Sequence, residues 1–485
     1  MISFRQLFLG AYPDYPAPET LPEVFVSGLE CDSRRVEKDF VFIAVRGAKL
    51  DGSKFVDDAV RRGASVVISD TPIQSSLPCI SVKDSREAVA RLAAVYYGHP
   101  SKKLRIAGVT GTNGKTTTSY LIEHILQRNG EKTGLIGTIL YRYPGVEVPA
   151  AETTPGPLAL QRIFSKMADA GCRTAVMEVS SHAMDQGRTS GVNFSCAAFT
   201  NLTQDHLDHH GTMEAYFQSK AKLFRGLSSD AVAVINVDDA WAAKLIPLTK
   251  ARIVAYSMEK LADVRAEDLM LRNESSEFTL STHGKKCRVS LPLIGRHNVY
   301  NALAAIGISE ALGVTPENAV QALSDFPGVP GRLEAVRCGQ DFTVLIDFAH
   351  TPDGLENVLR ALSEHCQKRL LLVFGCGGDR DRNKRPKMAE IASRWADFVY
   401  VTSDNPRTED PRAIAEEIRS GFPSNFNQQT MVLDRRKAIR QALLDARAGD
   451  IVLLAGKGHE RTQILKDQIL PFSDREEAER VLNGR

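Results

Sequence analysis

The run Val109-Thr110-Gly111-Thr112-Asn113-Gly114-Lys115-Thr116-Thr117 constrains this chain more than any other segment. It follows an apolar run, Leu104 to Val109, that reads as a strand, and precedes a helical pattern from Ser119 to Gln127. A strand, a loop of small residues, a lysine and a helix N-terminus together make a phosphate cradle. Backbone N–H groups approach the oxygens closely, and the helix dipole adds positive potential. In such a cradle Lys115 reaches the β- and γ-phosphates of a nucleotide and the Thr116 hydroxyl ligates magnesium, with Gly111, Thr112, Asn113, Gly114 and Thr117 forming the walls. The strict spacing is missed by one position, because Val109 stands at the first glycine site and Gly108 lies one earlier. A plain glycine turn with a surface lysine accounts for fewer of these features.

Around this loop the chain alternates short β-type runs with helical stretches, the pattern of open α/β sheets. Candidate strands are Ala175 to Val179, Ala231 to Ile235, Thr343 to Phe348, Leu370 to Phe374, Phe398 to Thr402 and Ile451 to Ala455, and ligands are expected in the turns that follow them. A length of 485 residues suggests about three domains. Breaker clusters at Tyr97 to Lys103 and at Phe326 to Gly331 put the cuts near 100 and 331.

Composition mainly excludes. With 61 Lys plus Arg against 59 Asp plus Glu, the formal charge of +2 argues against a general nucleic-acid or anionic-membrane binder. The eight cysteines include no C-x-x-C pair, so neither a disulfide framework nor a zinc knuckle is expected and a reducing cytosol is the natural setting. No run approaches the roughly 18 apolar residues of a membrane span. Leu7-Phe8-Leu9 is too short for a secretory core.

Three further segments carry polar chemistry. Ala175 to Glu178 reads as a buried strand ending in a carboxylate, the placement of a second magnesium ligand in phosphate-loop enzymes, and Val179-Ser180-Ser181-His182 continues it. Asn201 to Gly211 packs His206, His209 and His210 with Asp205 and Asp208. Helical spacing is expected to scatter these over several faces, which argues against a single zinc site. Lys220 falls on the predicted helix Met213 to Phe224 and reads in isolation as a solvated lysine.

Taken together the motifs resemble the Mur ligases, ATP-dependent amide-bond synthetases of peptidoglycan assembly. The resemblance spans essentially the whole chain: Asp32-Ser33-Arg34, Asp51-Gly52, the loop at 110 to 117, Glu178 to His182, Asp205 to Gly211, Lys220, Gly295-Arg-His-Asn298, Pro330-Gly-Arg332, Asp347 to Asp353, Gly375 to Asp381, Lys384-Arg-Pro386, Asp404-Asn-Pro-Arg407 and Gly456 to Glu460. It implies three α/β domains: a small N-terminal one for a UDP-sugar (1–100), a central phosphate-loop ATPase-type domain with a mostly parallel sheet (101–331), and a C-terminal Rossmann-like domain for an amino acid (332–485). It also implies ATP and Mg²⁺ as cofactors, with Lys115 and Thr116 gripping them and Glu178, His206 and Lys220 completing the metal surroundings. Lys220 matches the family's carbamylated lysine, whose CO2-derived carbamate turns a cation into an anion. Asn298, Arg332 and Asp347 are implied to meet the nucleotide from the hinge side.

By the same resemblance the acceptor UDP-N-acetylmuramoyl-L-alanyl-D-glutamate lies against Ser33, the Ala48 to Leu50 loop, Thr153, Thr154, Ser180, Gln186 and Arg188. Glu152 stands where the family often has Asn. The form Asp404-Asn405-Pro406-Arg407 accompanies meso-diaminopimelate, and the planar guanidinium of Arg407 suits its extra carboxylate. Arg385 for a carboxylate, Gly456, and Glu460 for an ammonium match positions around the same amino acid. The family setting is a cytoplasmic monomer with no nucleic-acid or membrane partner. Rival readings are a lysine-adding muramoyl ligase, a folylpolyglutamate synthetase-like ligase, and a non-catalytic phosphate-loop scaffold. The Asp-Asn-Pro-Arg and Gly-Lys-Gly-His-Glu runs favour the first-named substrate pair over the two enzymes. The joint presence of Lys115, Glu178, His206 and Lys220 favours catalysis over the scaffold. A swing of the C-terminal domain about Pro327 to Gly331 is expected, since nucleotide and amino acid are held on opposite sides of that hinge.

Overall fold

The structure, a computed structural model, describes residues 1–47, 50–272, 275–364 and 366–484. It contains three main sheets in chain order. The first has four parallel strands, Gly28–Glu30, Phe40–Ala44, Ala64–Ser69 and Cys79–Ser81. Val41, Ile43, Val66 and Ile68 pack from it against Phe4, Leu7, Phe8 and Leu92.

The central sheet has 11 strands. Its inner run is parallel, in the order Thr133–Ile136, Thr174–Glu178, Arg105–Thr110, Phe194–Phe199, Val232–Asn236, Arg252–Ser257 and Val264–Leu271. Antiparallel pairs extend it at both ends. The inner strands are apolar on both faces because helices cover both, as parallel sheets require. Val109, Val176, Ala198 and Val234 face the helices Lys115–Arg128 and Arg296–Ala311, while Ile106, Ala175, Ala197 and Ala233 face the opposite layer.

In the third sheet, of six strands, the last long strand, Ile451–Ala455, inserts between Thr343–Asp347 and Leu370–Phe374, with Phe398–Val401 beyond. This crossover makes a topological switch point, so the turns after Asp347, Phe374, Val401 and Ala455 open at one sheet end, where α/β sheets bind ligands. The α/β class, the mostly parallel central sheet and the Rossmann-like third unit agree with the sequence reading.

Predicted strands match within one or two residues. The helix after the phosphate loop begins at Lys115, four residues before the predicted Ser119, because the left-handed Gly114 (φ +87°) lets the chain enter the helix directly. That early start aims the unpaired N–H groups of the first turn into the loop. No helix among the described residues is long and apolar enough to cross a membrane, and all eight cysteines are free thiols.

Candidate active site

The phosphate loop is braced from two neighbouring strand ends. A Cβ at Gly111 would lie 1.9 Å from Thr200 Oγ1, and one at Gly114 2.3 Å from Asn301 Oδ1, so both positions require glycine on space alone. Thr112 N–H donates to Asn201 O at 2.9 Å, Asn113 N–H to Asn201 Oδ1 at 2.9 Å, and Thr200 Oγ1 to Asn113 O at 2.6 Å. Lys115 Nζ donates to Gly111 O and Thr112 O at 2.9 and 2.8 Å, which stations its charge at the loop mouth. Thr200, Asn201 and Asn301 were not singled out from the sequence. Only their distance from the loop in sequence hid them.

On the metal side, Glu178 ends the strand beside the loop. Its Oε2 accepts from Thr116 Oγ1 at 3.1 Å and from Thr138 Oγ1 at 2.9 Å, and its Oε1 from Thr138 N–H at 2.9 Å. A hydroxyl and a fixed carboxylate beside a phosphate cradle are hard oxygen donors of the kind magnesium takes. His206 holds a left-handed conformation (φ +53°), with its ring 3.4 Å from Asp205 Oδ2. Burial, with His182, Lys115 and Lys220 adding repulsion against the attraction of Asp205, pushes this imidazole down to about 4, so it is neutral and able to ligate.

Lys220 is not solvated. It is 2 % exposed, its Nζ donates to Gly111 O at 2.7 Å, and the amine stands 4.5 Å from the Tyr216 ring centre. Among the described residues no carboxylate pairs with it, and it shares the Gly111 carbonyl with Lys115. Burial first, then the Lys115 charge, lowers its pKa well below the usual lysine range. A buried amine with these neighbours is poorly stabilised as a cation, and conversion to a carbamate anion would suit them.

Residues around and beyond the 326–331 linker line the same cavity, of about 960 Å³, over the loop. Arg332 reaches Thr116 Oγ1 from Nη2 at 3.3 Å and stacks 4.8 Å above Phe348. Its Nε is buried and finds no partner among the described residues, a donor left for a ligand. Asn298 lines this wall, fixed by Ile294 O at 2.9 Å and Asn301 Nδ2 at 3.0 Å. Asp347 lines it too, but its oxygens accept the N–H groups of Leu333 (2.8 Å) and Ala349 (2.7 Å), so it also pins the chain just past the hinge. Asp353, the last residue of the Asp347 to Asp353 motif, accepts from Asn113 Nδ2 and from Thr203 Oγ1 (3.1 Å), tying the third unit to the loop.

A second cavity, about 910 Å³, shares Thr153, Ser180, His206 and Asp353 with the first. Thr154, Gln186 and Arg188 line one side, and Asp404, Asn405, Arg407, Gly456 and Glu460 line the other. A third, about 780 Å³, continues from Glu152, Gln186 and Arg188 toward the first sheet, between Arg35, Arg86, Tyr97 and Arg162. The three form one trough from the first sheet to the phosphate loop. Arg188 stands at its middle, donating to Thr154 O at 2.9 Å and paired with Glu152 at 2.7 Å.

Two expected residues, Ser33 and Arg385, lie away from the trough, and the expected Ala48 to Leu50 loop falls mostly outside the described residues. Ser33 is buried in its turn and held by Asp58, away from the trough, and Arg35 lines the wall instead. Of the Ala48 to Leu50 loop, Ala48 and Lys49 lie outside the described residues, and Leu50 is exposed. Arg385 does not line the cavity: it is wholly buried, its guanidinium held by Glu409 (2.8 and 2.9 Å), Glu417 (2.7 Å) and Gly377 O (3.2 Å). A guanidinium committed to two carboxylates braces the loops behind the site.

Arg407 is placed otherwise. It sits at φ +52° with its N–H bonded to Ile464 O, and one guanidinium nitrogen donates to Gly378 O at 2.8 Å, leaving its remaining donors in the cavity. Pro406 turns the chain behind it, with its carbonyl against Gly378, where a Cβ would lie 1.9 Å away. Glu460 is held by the buried Lys457 at 2.7 Å and by Asn405 Nδ2 at 2.8 Å. Lys457 carried no sequence signal apart from its place in the Gly-Lys-Gly-His-Glu run.

A phosphate loop with a carboxylate, an imidazole and a buried lysine beside it, opposed across a hinge by a Rossmann-like unit, defines an ATP-dependent ligase. Family models match along the chain: the Mur ligase family catalytic domain at residues 25–97, the Mur ligase middle domain at 109–309, and the Mur ligase glutamate ligase domain at 331–458. The chain belongs to the Mur ligase family, whose members are ATP-dependent amide-bond synthetases. It is 47 % identical over 469 residues (96 % of this chain, 95 % of the relative) to the UDP-N-acetylmuramoyl-L-alanyl-D-glutamate--2,6-diaminopimelate ligase of Gloeobacter violaceus. It is 44 % identical over 466 residues (95 % of each) to the protein of that name from Geobacillus kaustophilus. A solved structure of a ligase so named superposes with a TM-score of 0.71 at 35 % identity, covering 100 % of this chain and 99 % of that one. Folylpolyglutamate synthase of Mycobacterium tuberculosis, at 20 % identity, TM-score 0.64 and coverage of 77 % of this chain and 92 % of that one, shares the fold alone.

Proposed function

We propose that this protein joins meso-diaminopimelate to the D-glutamate of UDP-N-acetylmuramoyl-L-alanyl-D-glutamate at the expense of ATP, in the cytosolic synthesis of peptidoglycan precursors. The observation that carries the reading is the continuous trough. Its continuity suits an extended acceptor, with uridine and phosphates toward Arg35, Arg86 and Arg162, the muramoyl dipeptide past Gln186 and Arg188, and the free carboxylate near Thr153, Ser180 and the loop. Arg407 and Glu460 then stand where an incoming amino acid approaches that carboxylate.

In this reading a carboxylate oxygen attacks the γ-phosphorus of ATP, the bond to ADP breaks, and an acyl phosphate forms. The amine attacks the acyl carbon, the C–O bond to phosphate breaks, and the ammonium proton leaves to solvent. Lys115 and Arg332 neutralise the transferred group, and the N–H groups of the first turn of the helix that begins at Lys115 orient it. Thr116, Glu178, His206 and a carbamylated Lys220 would hold magnesium, which supplies charge neutralisation at the phosphates. Arg407 forks onto the distal carboxylate and Glu460 receives an ammonium. The units expected at 1–100, 101–331 and 332–485 take the acceptor, ATP and the amino acid respectively, and the enzyme works as a monomer.

The test is phosphate release from ATP with the acceptor present and each amino acid in turn. Release with meso-diaminopimelate and not with L-lysine or L-glutamate is expected. Comparable release with lysine would reassign the substrate, and release with neither acceptor nor amino acid would remove the ligase reading.

A further inference from the structure

We infer that Asp185, His209 and His210 form a binding site for one zinc-class divalent cation, separate from the phosphate loop. Sequence spacing alone argues for scattered histidines. The chain instead runs through a single four-residue turn, Leu207–His210, bounded by the left-handed His206 and Gly211. That turn brings His209 and His210 to the same side, facing the carboxylate that ends the helix Ser181–Asp185.

The atoms are arranged as ligands. Asp185 Oδ2 lies 3.3 Å from His210 Nδ1 and 3.6 Å from His209 Nε2. Four donors placed tetrahedrally at zinc bond lengths of about 2.0–2.1 Å are spaced by ~3.4 Å. Among the described residues neither contact is aligned as a hydrogen bond, so three polar atoms converge without satisfying one another. His210 Nε2 instead meets Ser181 Oγ at 2.9 Å. With that nitrogen donating, Nδ1 keeps its lone pair toward the carboxylate, the support that metal-bound histidines ordinarily have. Lys222 takes the other oxygen, Oδ1, at 2.7 Å, which leaves Oδ2 as a single ligand atom. His182 stacks on the His209 ring at 4.2 Å and fixes its plane.

Two imidazoles and one carboxylate favour a borderline ion such as Zn²⁺ or Co²⁺ over the all-oxygen preference of Mg²⁺. His210 is buried while Asp185 and His209 reach solvent, so an ion has a path in and water completes its coordination. The ion would clip the turn after His206 to the helix that follows Ser180.

The experiment is titration of Co²⁺ into the untagged, metal-free full-length protein in the presence of MgATP, followed by visible absorption and then displacement by Zn²⁺. One equivalent of tetrahedral Co²⁺ with intense visible bands is expected, kept in His206→Ala and weakened at least tenfold in both Asp185→Asn and His209→Ala. Zinc should also raise the melting temperature of the parent protein and not that of these two variants, which distinguishes lost ligation from lost folding. Absence of the bands in the parent, their persistence in Asp185→Asn and His209→Ala, or their loss in His206→Ala would overturn the assignment.

Discussion

Replacing Arg407 by alanine tests its proposed role in amino-acid recognition separately from the rest of the reaction. The left-handed backbone there (φ +52°) carries a Cβ in both forms, so the exchange changes no backbone strain and acts through the guanidinium alone. Among the described residues that group makes one side-chain hydrogen bond, to Gly378 O at 2.8 Å, which leaves its remaining donors for a carboxylate. Two charge-assisted hydrogen bonds at roughly 1.5–3 kcal/mol each set the upper range. Arg380 lines the same cavity and offsets part of the loss, as does solvent, so about 3 kcal/mol is the working figure, or ~10²-fold. The loss should fall on KM for meso-diaminopimelate, measured by coupled phosphate release, with KM for ATP within about twofold because Arg407 is absent from the residues lining the phosphate-loop cavity. Arg407→Lys should recover only part of the loss, since a point charge cannot fork onto the carboxylate. An unchanged KM for meso-diaminopimelate in Arg407→Ala would refute the assignment.

Other outcomes follow from the same geometry. Lys220→Ala should lower turnover by roughly 10²-fold or more and be partly rescued by formate, acetate or propionate, and mass spectrometry of the parent protein under ¹³CO2 should locate the label on Lys220. Glu152→Asn should lower KM for the UDP-linked acceptor about two- to fivefold, because it frees Arg188 from its ion pair and removes a negative charge from the path proposed for an anionic acceptor. Arg385→Met should cost about 2 kcal/mol in denaturant unfolding by removing the guanidinium partner of Glu409 and leaving Glu417 with Arg382 alone, discounted for their partial exposure. The hydrogen bonds from Arg385 are the main cause that holds the Glu409 carboxyl down to about 2, so its stabilisation is present above the ordinary value of 4.5 and is lost as pH falls from there toward 2. The variant's stability should therefore fall less steeply with acid than the parent's.

How far the site could be read from sequence depended on how local each part is. The phosphate loop was legible because glycines, lysine and threonines within nine consecutive positions carry the whole cradle. Arg385 misled because its partners are 24 and 32 residues away, and a motif position cannot say whether a guanidinium faces a cavity or two glutamates. Lys220 read as a surface lysine by helix pattern alone, and its burial arises from packing of Tyr216 and the loop, 109 residues distant at Gly111. Helical periodicity scatters the histidines after His206, but a single turn bounded by two left-handed residues does not obey it. In the fold, strand positions were clear because buried parallel strands are continuous apolar runs, whereas the insertion of Ile451–Ala455 into the middle of the third sheet left no trace in order along the chain.

The central claim is that phosphoryl transfer at the loop is directed to a carboxylate held in the trough. Labelling the free D-glutamate carboxylate of the acceptor with heavy oxygen tests it directly. With ATP and meso-diaminopimelate, the released phosphate should carry one labelled oxygen per turnover. Unlabelled phosphate released at the rate of amide formation would contradict the account.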